Sequence, residues 1–186
     1  GERGIFNREA AQKQVEKSNE FRTRLEADFR TREPEHDFGT NPCSEIILRD
    51  REFCNLTEVV VREKDTDESL ERKVRLATIL GTWQSTLTNF RYLSGDWKKN
   101  CEDERLLGVS MTGIMDCKLT RSTKNLSDRL ERLRATAIFT NKEHADALGI
   151  PQSAAITCVK PSGTVSQLVD AASGIHARHS EYYIRT

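Results

Sequence analysis

Three short apolar runs alternate with two long amphipathic segments, and this alternation limits the possible folds more than any other feature of the sequence. The runs are FCNLTEVVV, RLLGVSMTG and AAITCVK. Between them lie segments 67–90 and 130–148, where apolar residues recur at intervals of three and four, as on one face of a helix. Alternating strands and helices are typical of an α/β domain with parallel strand pairing.

Each long segment carries one apolar stripe, which we expect to face the core of the domain. In the first helix, which begins at Asp67, the stripe consists of Leu76, Leu80, Trp83, Leu87 and Phe90. In the second it consists of Leu130, Leu133, Ala137, Asn141, His144 and Leu148. Gly149 and Pro151 are predicted to end the second helix.

The remaining predicted elements are shorter. Asn7 is expected to cap a helix that ends before Pro34, and Ile46 to Leu48 form a short strand. Tyr92 to Asn100 is interpreted as a loop, SQLVDAA as a short helix, and GIHARHSEYYIR as ending in a possible strand. With about five strands in all, the chain has fewer than a closed eight-stranded barrel needs, so we expect an open or incomplete sheet.

Charge and hydropathy exclude several classes of protein. The 186 residues include 29 Lys plus Arg and 29 Asp plus Glu, so the formal net charge is zero. Proteins that bind nucleic acid through its phosphates are usually basic, so no direct nucleic-acid partner is expected. No apolar run reaches the roughly 18 residues of a membrane span, and no signal-peptide pattern is visible, so no membrane partner is expected either.

The cysteines favour a reducing compartment, and we expect a cytoplasmic protein. There are five, at irregular spacings: Cys43, Cys54, Cys101, Cys117 and Cys158. A secreted disulfide scaffold is usually shorter and richer in cysteine. No pair has the Cys-x-x-Cys spacing, which disfavours zinc, although a thiol-redox or zinc-binding module remains an alternative.

A histidine pair near the C-terminus does not change the expectation that the chain has no metal site. His176 and His179 could share a metal only if they lay on a helix, and Gly174 argues against a helix there.

The segment TNPCSEI contains three chemically useful side chains, Asn41, Cys43 and Glu45, each two residues apart. If the backbone is extended, alternate side chains point the same way at roughly 6.5–7 Å intervals, about the span of a sugar ring. Pro42 would stiffen the segment. The alternative interpretation is a buried cysteine beside a solvated glutamate, which is the common situation in proteins.

A second candidate site lies in CVKPSGTVSQLVD, where a strand is expected to end at Lys160 and a helix to begin after the loop. Hydroxyls and free backbone N–H groups at the start of a helix can bind an anion. The loop lacks the Gly-Lys-Ser/Thr ending of a P-loop, so nucleoside-triphosphate hydrolysis is not implied. An ordinary serine-capped turn is the alternative.

Four segments in this order resemble the catalytic subunit of ribonucleotide reductase: TNPCSEI, FCNLTEVVVR, ERLLGVSMTGIMD, and CVKPSGTVSQLVD with SGIHARHSEYYIR. The resemblance is greatest to the adenosylcobalamin-dependent, ribonucleoside-triphosphate type (class II), and it runs from Gly4 to the last residue. It implies a partial ten-stranded α/β barrel in which a finger loop carries the radical cysteine. Residues 1–186 would then be a single domain, the central and incomplete part of the catalytic barrel.

The resemblance also implies a role for each candidate residue. In this family a thiyl radical removes the 3′ hydrogen of the ribose, and here that sulfur would belong to Cys43. Glu45 would be the general base for the 3′-hydroxyl, Asn41 would bind the sugar hydroxyls, and Cys54 would be one of two thiols that reduce the 2′ position and end as a disulfide. The segment matching the family's phosphate-binding loop consists of Pro161, Ser162, Gly163, Thr164, Val165 and Ser166.

The implied cofactor is adenosylcobalamin, whose binding region would lie largely outside this chain. The implied partners are a ribonucleotide, a dithiol reductant such as thioredoxin, and the remaining reductase polypeptide. The family's second reducing thiol lies upstream of the radical loop, but no cysteine precedes Asn41 here. Cys101, Cys117 and Cys158 are interpreted as structural. We therefore expect the isolated chain to be inactive; the alternative is a non-catalytic remnant or split segment that assembles with other reductase chains.

Overall fold

The computed structural model describes residues 4–25, 28–178, 180–182 and 184, and they form an α/β arrangement as predicted. The helices are α1 (Arg8–Thr23), α2 (Asp67–Gln84), α3 (Gly95–Glu104), α4 (Lys118–Arg121), α5 (Leu126–Leu148) and α6 (Val165–Leu168). The strands are β1 (Gly39–Thr40), β2 (Ile47–Leu48), β3 (Asn55–Val60) and β4 (Leu107–Thr112), and a 3₁₀ turn covers Ile114–Asp116.

The centre of the fold is a parallel pair formed by β3 and β4. Their register runs from Asn55 opposite Leu107 to Val60 opposite Thr112. The predicted strand AAITCVK lies along the other edge of β4, where Thr157 makes a parallel bridge to Val109. The Cys158 N–H donates to the Val109 carbonyl at 3.1 Å, so three parallel segments lie side by side. The expectation of parallel pairing is confirmed.

The two long helices cover one face of this sheet. Alternate residues of the strands, including Val59, Leu107 and Val109, pack with side chains of α2 and α5 in the main core cluster. Gly81 of α2 permits this close approach, because a Cβ atom there would already lie 3.5 Å from Leu107. The opposite face of the sheet is therefore available for polar residues.

The apolar stripe expected to bury α2 is on the wrong side of the helix. Leu76, Leu80 and Trp83 of α2 are each more than half exposed, as is Leu87, which lies beyond the end of the helix. The side chains that face the sheet are smaller on average: Leu70, Val74, Ala77, Thr78, Gly81 and Thr82. Both sets recur with helical spacing, and small residues allow the helix to lie nearer to the strands.

Other helices differ from expectation in extent. The Asn7 cap is confirmed, since its Oδ1 accepts a hydrogen bond from the Ala10 N–H at 3.0 Å, but α1 already ends at Thr23. Segment 95–104, most of which was interpreted as a loop, is helix α3. The α5 helix ends as predicted at Gly149, which has a positive φ of 66°. The expected helix SQLVDAA is a single turn, α6.

The C-terminal strand expected in GIHARHSEYYIR is not formed by its described residues, and His179, Tyr183, Arg185 and Thr186 lie outside them. The described residues also form no barrel. They form two small sheets, the parallel pair and an antiparallel hairpin of β1 and β2. No described helix is both long enough and apolar enough to cross a membrane.

Candidate active site

The hairpin β1–β2 carries the cysteine loop at its tip. Gly39 pairs with Leu48 and Thr40 with Ile47, which leaves residues 41–46 as the connection. The Ser44 N–H donates to the Asn41 carbonyl at 2.9 Å, and Ser44 has a φ of 63°. The loop is therefore turned, and the expectation of an extended backbone from Asn41 to Glu45 is wrong.

Because the loop turns, its functional side chains lie at different depths. Cys43 is exposed at the tip. Glu45 has a side chain only 3% exposed, facing the polar side of the parallel sheet. Asn41 shapes the loop, since its Oδ1 accepts a hydrogen bond from the Ile46 N–H at 3.1 Å. The three residues come together, but not as a flat row.

Glu45 is bound by a lysine that the sequence analysis did not identify as part of the site. The Lys160 ammonium donates to Glu45 Oε1 at 3.3 Å. Burial raises the pKa of Glu45, but hydrogen bonds from its own backbone N–H, from Asn41 and from Lys160 outweigh burial, and the pKa lies below its usual range. Glu45 is therefore an ionised carboxylate at neutral pH, as a general base must be.

Two cysteine sulfurs lie close to the same glycine, Gly108, in the middle of the sheet. A Cβ atom on Gly108 would lie 3.4 Å from Cys54 Sγ and 3.3 Å from Cys158 Sγ. It would also lie 2.4 Å from the Leu56 side chain, which would have to shift to admit a side chain there. The interpretation of Cys158 as structural is thus incomplete, because its thiol and that of Cys54 both lie close to Gly108.

Both of these thiols are held in the protonated form. Burial, and then the charge of Glu45, raise the pKa of Cys54 to about 11. Burial, followed by the neighbouring Cys54 and Glu45, raises the pKa of Cys158 to about 12. Thiolates are the nucleophiles and metal ligands among cysteines. Protonated thiols at this site can instead supply hydrogen.

A buried ionic cluster fixes the base of the hairpin. Arg32 donates to Glu104 Oε2 at 2.6 Å and to the Ile47 carbonyl of β2 at 2.9 Å. Glu52 accepts from the Arg49 N–H at 2.9 Å, and its side chain is fully buried. Arg32 also lies over the Phe38 ring, 4.7 Å from the centroid. The hairpin is thereby attached to the end of α3.

The predicted phosphate loop folds tightly on itself. Ser162 is buried with a φ of 54°, and the Ser166 hydroxyl donates to the Gly163 carbonyl at 3.2 Å. Thr164 and Val165 are exposed. Gly174 lies against the loop, since a Cβ atom there would be 2.8 Å from the Lys160 carbonyl. The single turn of α6 is too short to add a large helix dipole.

A cavity of about 440 Å³ adjoins the site. Glu45, Ser110 and Cys158 contribute to its lining, together with apolar side chains such as Val15 and Leu133. Its volume lies within the range of small-molecule sites, about 300–1,000 Å³.

No group of three or more described His, Cys, Asp or Glu side chains could hold a metal ion. The His176 ring lies 3.2 Å from the Ser173 carbonyl, and His179 is outside the described residues.

Sequence reasoning missed Lys160, Glu58 and the position of Cys158, although a signal was present. Cys54, which directly precedes β3, and Glu58 within it share one face by their even spacing, and Cys158 and Lys160 do so on the neighbouring segment. The Ser110 hydroxyl of β4 donates to Glu58 Oε1 at 3.3 Å. Alternation along the strands could have found these residues once the buried face was known.

The Lys160–Glu45 pair gives a direct prediction. Lys160→Met should raise the pKa of Glu45, because the hydrogen bond and charge that favour the carboxylate are lost while burial remains. Carboxyl-carbon NMR titration of the isolated chain measures this. Lys73→Met is the matched control, since Lys73 pairs with Asp65 at 2.6 Å instead. An unmoved Glu45 pKa in Lys160→Met would show that the pair has no influence on the carboxylate.

No protein-family model matches the chain. The adenosylcobalamin-dependent ribonucleoside-triphosphate reductase of Lactobacillus delbrueckii subsp. bulgaricus is 30% identical, over 79% of this chain and 23% of that protein. The probable enzyme of the same name from Dictyostelium discoideum is 32% identical, over 86% of this chain and 20% of that protein. The reductase of Lacticaseibacillus paracasei is 28% identical, over 100% of this chain and 27% of that protein.

A crystal structure of a B12-dependent (class II) ribonucleotide reductase has a similar fold, with a TM-score of 0.60 and 27% identity. The match covers 74% of this chain and 22% of that one. The chain thus spans about a quarter of the length of the curated relatives it matches. The resemblance inferred from the four sequence segments is confirmed.

Proposed function

We propose that this chain, which is homologous to one segment of the adenosylcobalamin-dependent ribonucleoside-triphosphate reductases, forms the ribose-reducing part of such an enzyme. The observation that carries the proposal is the convergence of the hairpin loop on the polar face of the sheet. Glu45 of the loop lies near enough to Cys54 and Cys158 for its charge to raise the pKa of both.

The proposed chemistry divides among the residues of this face. Cys43, exposed at the loop tip, takes the 3′ hydrogen of the ribose as a thiyl radical. Glu45, already ionised, takes the 3′-hydroxyl proton, and Asn41 holds the loop and the sugar hydroxyls. Cys54, protonated at neutral pH, supplies hydrogen to the 2′ carbon. The segment from Pro161 to Ser166, through Ser162, Gly163, Thr164 and Val165, binds the phosphates of the ribonucleotide.

Adenosylcobalamin, when bound, supplies the radical. Within this chain the cofactor's radical would have to reach the Cys43 sulfur. This sulfur is exposed and can be reached from outside the hairpin. As the family resemblance implies, we assign the cobalamin-binding groups largely to the remaining reductase polypeptide.

The rest of that polypeptide would complete the ten-stranded α/β barrel around the finger loop, with residues 1–186 as one part of a single domain. The exposed α2 face of Leu76, Leu80 and Trp83 is where we expect it to pack. A dithiol reductant such as thioredoxin would restore the thiols, in the cytoplasm.

Turnover tests this function. The complete reductase that carries this segment should form deoxyribonucleotides from ribonucleoside triphosphates with adenosylcobalamin and a dithiol, and the isolated chain should form none. Product from the isolated chain would contradict the need for the missing barrel. Absence of product from the complete reductase, with the relative from L. delbrueckii active in parallel, would contradict the function itself.

A further inference from the structure

We propose that Asp116 is a positioning residue for the phosphate-binding segment from Pro161 to Ser166. Its carboxylate holds residues 169–174, here called the strap, and the strap holds the segment in the conformation that binds the substrate phosphates. The inference rests on the proposed function and adds to it a residue that acts through the strap rather than on the substrate.

The strap is attached to both ends of the phosphate-binding segment. At the first end, the Ser173 hydroxyl donates to the Pro161 carbonyl at 3.0 Å. At the second end, the Ala171 N–H donates to the Ser166 carbonyl at 2.9 Å. Gly174, with a φ of 52°, lies so close that a Cβ atom there would be 2.9 Å from the Pro161 carbonyl oxygen. A shift of the strap would therefore move the backbone of the segment.

The strap is itself held at the carboxyl ends of the two parallel strands. At the end of β4, the Gly113 N–H donates to the Ala172 carbonyl at 2.7 Å, and the buried Thr112 hydroxyl donates to the same carbonyl at 3.0 Å. Just beyond β3, the Arg62 guanidinium donates to the Asp170 carbonyl at 2.7 Å. In open α/β sheets, ligands bind outside the carboxyl ends of the strands, so the strap lies where a substrate is expected.

Asp116 binds the middle of the strap with a charged group. Its Oδ2 accepts a hydrogen bond from the Ala172 N–H at 2.7 Å, and its Oδ1 accepts one from Arg178 Nε at 3.1 Å. Arg178 also donates to the Asp170 side chain of the strap at 2.9 Å. Burial raises the pKa of Asp116, but the hydrogen bonds from Arg178 and Ala172 outweigh burial, and the pKa lies below its usual range. Hydrogen bonds to an ionised group are roughly twice as strong as neutral ones.

The phosphate-binding segment needs this support because of the way it would bind an anion. Hydroxyls and backbone N–H groups hold an anion only where they converge on it, and their directions follow the backbone. The segment is a tight turn in which Ser162 has a φ of 54°, and Thr164 and Val165 are exposed. A site on a loop is precise only when supporting contacts fix the loop. The strap supplies such contacts, and Asp116 fixes the strap.

The test compares substrate binding with turnover in the complete reductase carrying Asp116→Ala. The KM for cytidine triphosphate should rise by about 10–100-fold, because a displacement of about 1 Å can cost 10²-fold. The kcat should stay within a few-fold, because the phosphates do not react. The inhibition constant of cytidine, which lacks phosphates, should not change. Asp116→Asn should recover most of the affinity, because its amide oxygen can still accept a hydrogen bond from the Ala172 N–H.

Two further variants separate release of the strap from general loss of structure. Arg62→Met frees the strap at another point and should raise the same KM by a smaller factor. Glu143→Ala removes a carboxylate–arginine pair between α2 and α5, in which Arg75 donates to Glu143 Oε1 at 3.0 Å. This control should leave KM and kcat unchanged. Circular dichroism checks that each protein is folded.

Other results would overturn the proposal. A KM of Asp116→Ala within a few-fold of that of the unaltered enzyme would remove the positioning role. Equal weakening of cytidine triphosphate and cytidine, or a fall in kcat alone, would assign Asp116 a general structural role. Neither result touches the proposed function, which fails only if the unaltered enzyme forms no deoxyribonucleotide, and the Asp116 assignment then fails with it.

Discussion

Replacing Cys43 with serine should abolish deoxyribonucleotide formation by the complete reductase, lowering the rate at least about 10⁴-fold, as when a group that acts covalently is removed. An O–H bond is much harder to break homolytically than an S–H bond, so serine cannot carry the radical. Cys43 is exposed at the hairpin tip, and the substitution changes one atom. Folding should therefore be unaffected, and product formation from ribonucleoside triphosphate measures the effect on chemistry alone.

Cys101→Ser is the matched control, because Cys101 is a buried cysteine on α3 outside the site. It should retain turnover within a few-fold, corrected for folded protein. Equal losses in both variants would mean that cysteine replacement damages the fold, and undiminished product from Cys43→Ser would remove the radical role of this residue.

The second large effect concerns stability. Arg32→Met should lower the free energy of unfolding of the chain by about 3–5 kcal/mol, the usual cost of removing one partner from a buried ion pair. Glu104, 3% exposed, would lose its bidentate partner, and the β2 carbonyl of Ile47 would lose its donor. Urea unfolding followed by circular dichroism measures the change.

Glu52→Gln in the same cluster is the control. The effect of this substitution on the free energy of unfolding should itself depend on pH. Burial, and then the charge of Glu104, raise the pKa of Glu52 from 4.5 to about 8. The stability from its protonated form is present below pH 4.5 and is lost as pH rises through 8. Glutamine stays neutral, so Glu52→Gln should cost little stability at pH 6 and should make the chain more stable than the unaltered chain at pH 9.

An Arg32→Met chain as stable as the unaltered one would show that the cluster does not hold the hairpin.

Strands and long helices could be predicted from the sequence because their patterns are local. FCNLTEVVV contains β3, and Gly149 ends α5 by adopting the left-handed conformation that glycine favours. The α3 helix was missed because GDWKKNCEDE is almost entirely polar and buries only Cys101 and Glu104. Tertiary contacts through that buried glutamate, rather than periodicity, stabilise this helix.

Neither the face of α2 that packs on the sheet nor the position of Cys158 could be predicted, and the reason is the same for both. Two sets of α2 residues have helical spacing, and only the distance to the sheet decides which one packs. Cys158 reaches Cys54 because β4 lies between their segments with a glycine at position 108. Both facts depend on which strands are neighbours, and a single sequence does not contain that information in local form.

The grouping of residues at the candidate site could be anticipated in part, while their roles stay predictions. The loop with Asn41, Cys43 and Glu45 was found from residue types and spacing, although its turned backbone was not. Lys160 and Glu58 carry no local motif, and they enter the site only through the register of parallel strands. The proposed chemistry rests on residue types, and the groups that would tune it are apparent only in the three-dimensional arrangement.

A structure of the complete reductase with a bound ribonucleotide tests the central claim most directly. The account predicts the Cys43 sulfur at about 3–3.5 Å from C3′ of the ribose, the separation of reacting atoms poised for reaction. It also predicts a Glu45 oxygen within hydrogen-bond distance of the 3′-hydroxyl. A ribose seated elsewhere, with the Cys43 sulfur turned to solvent, would contradict it.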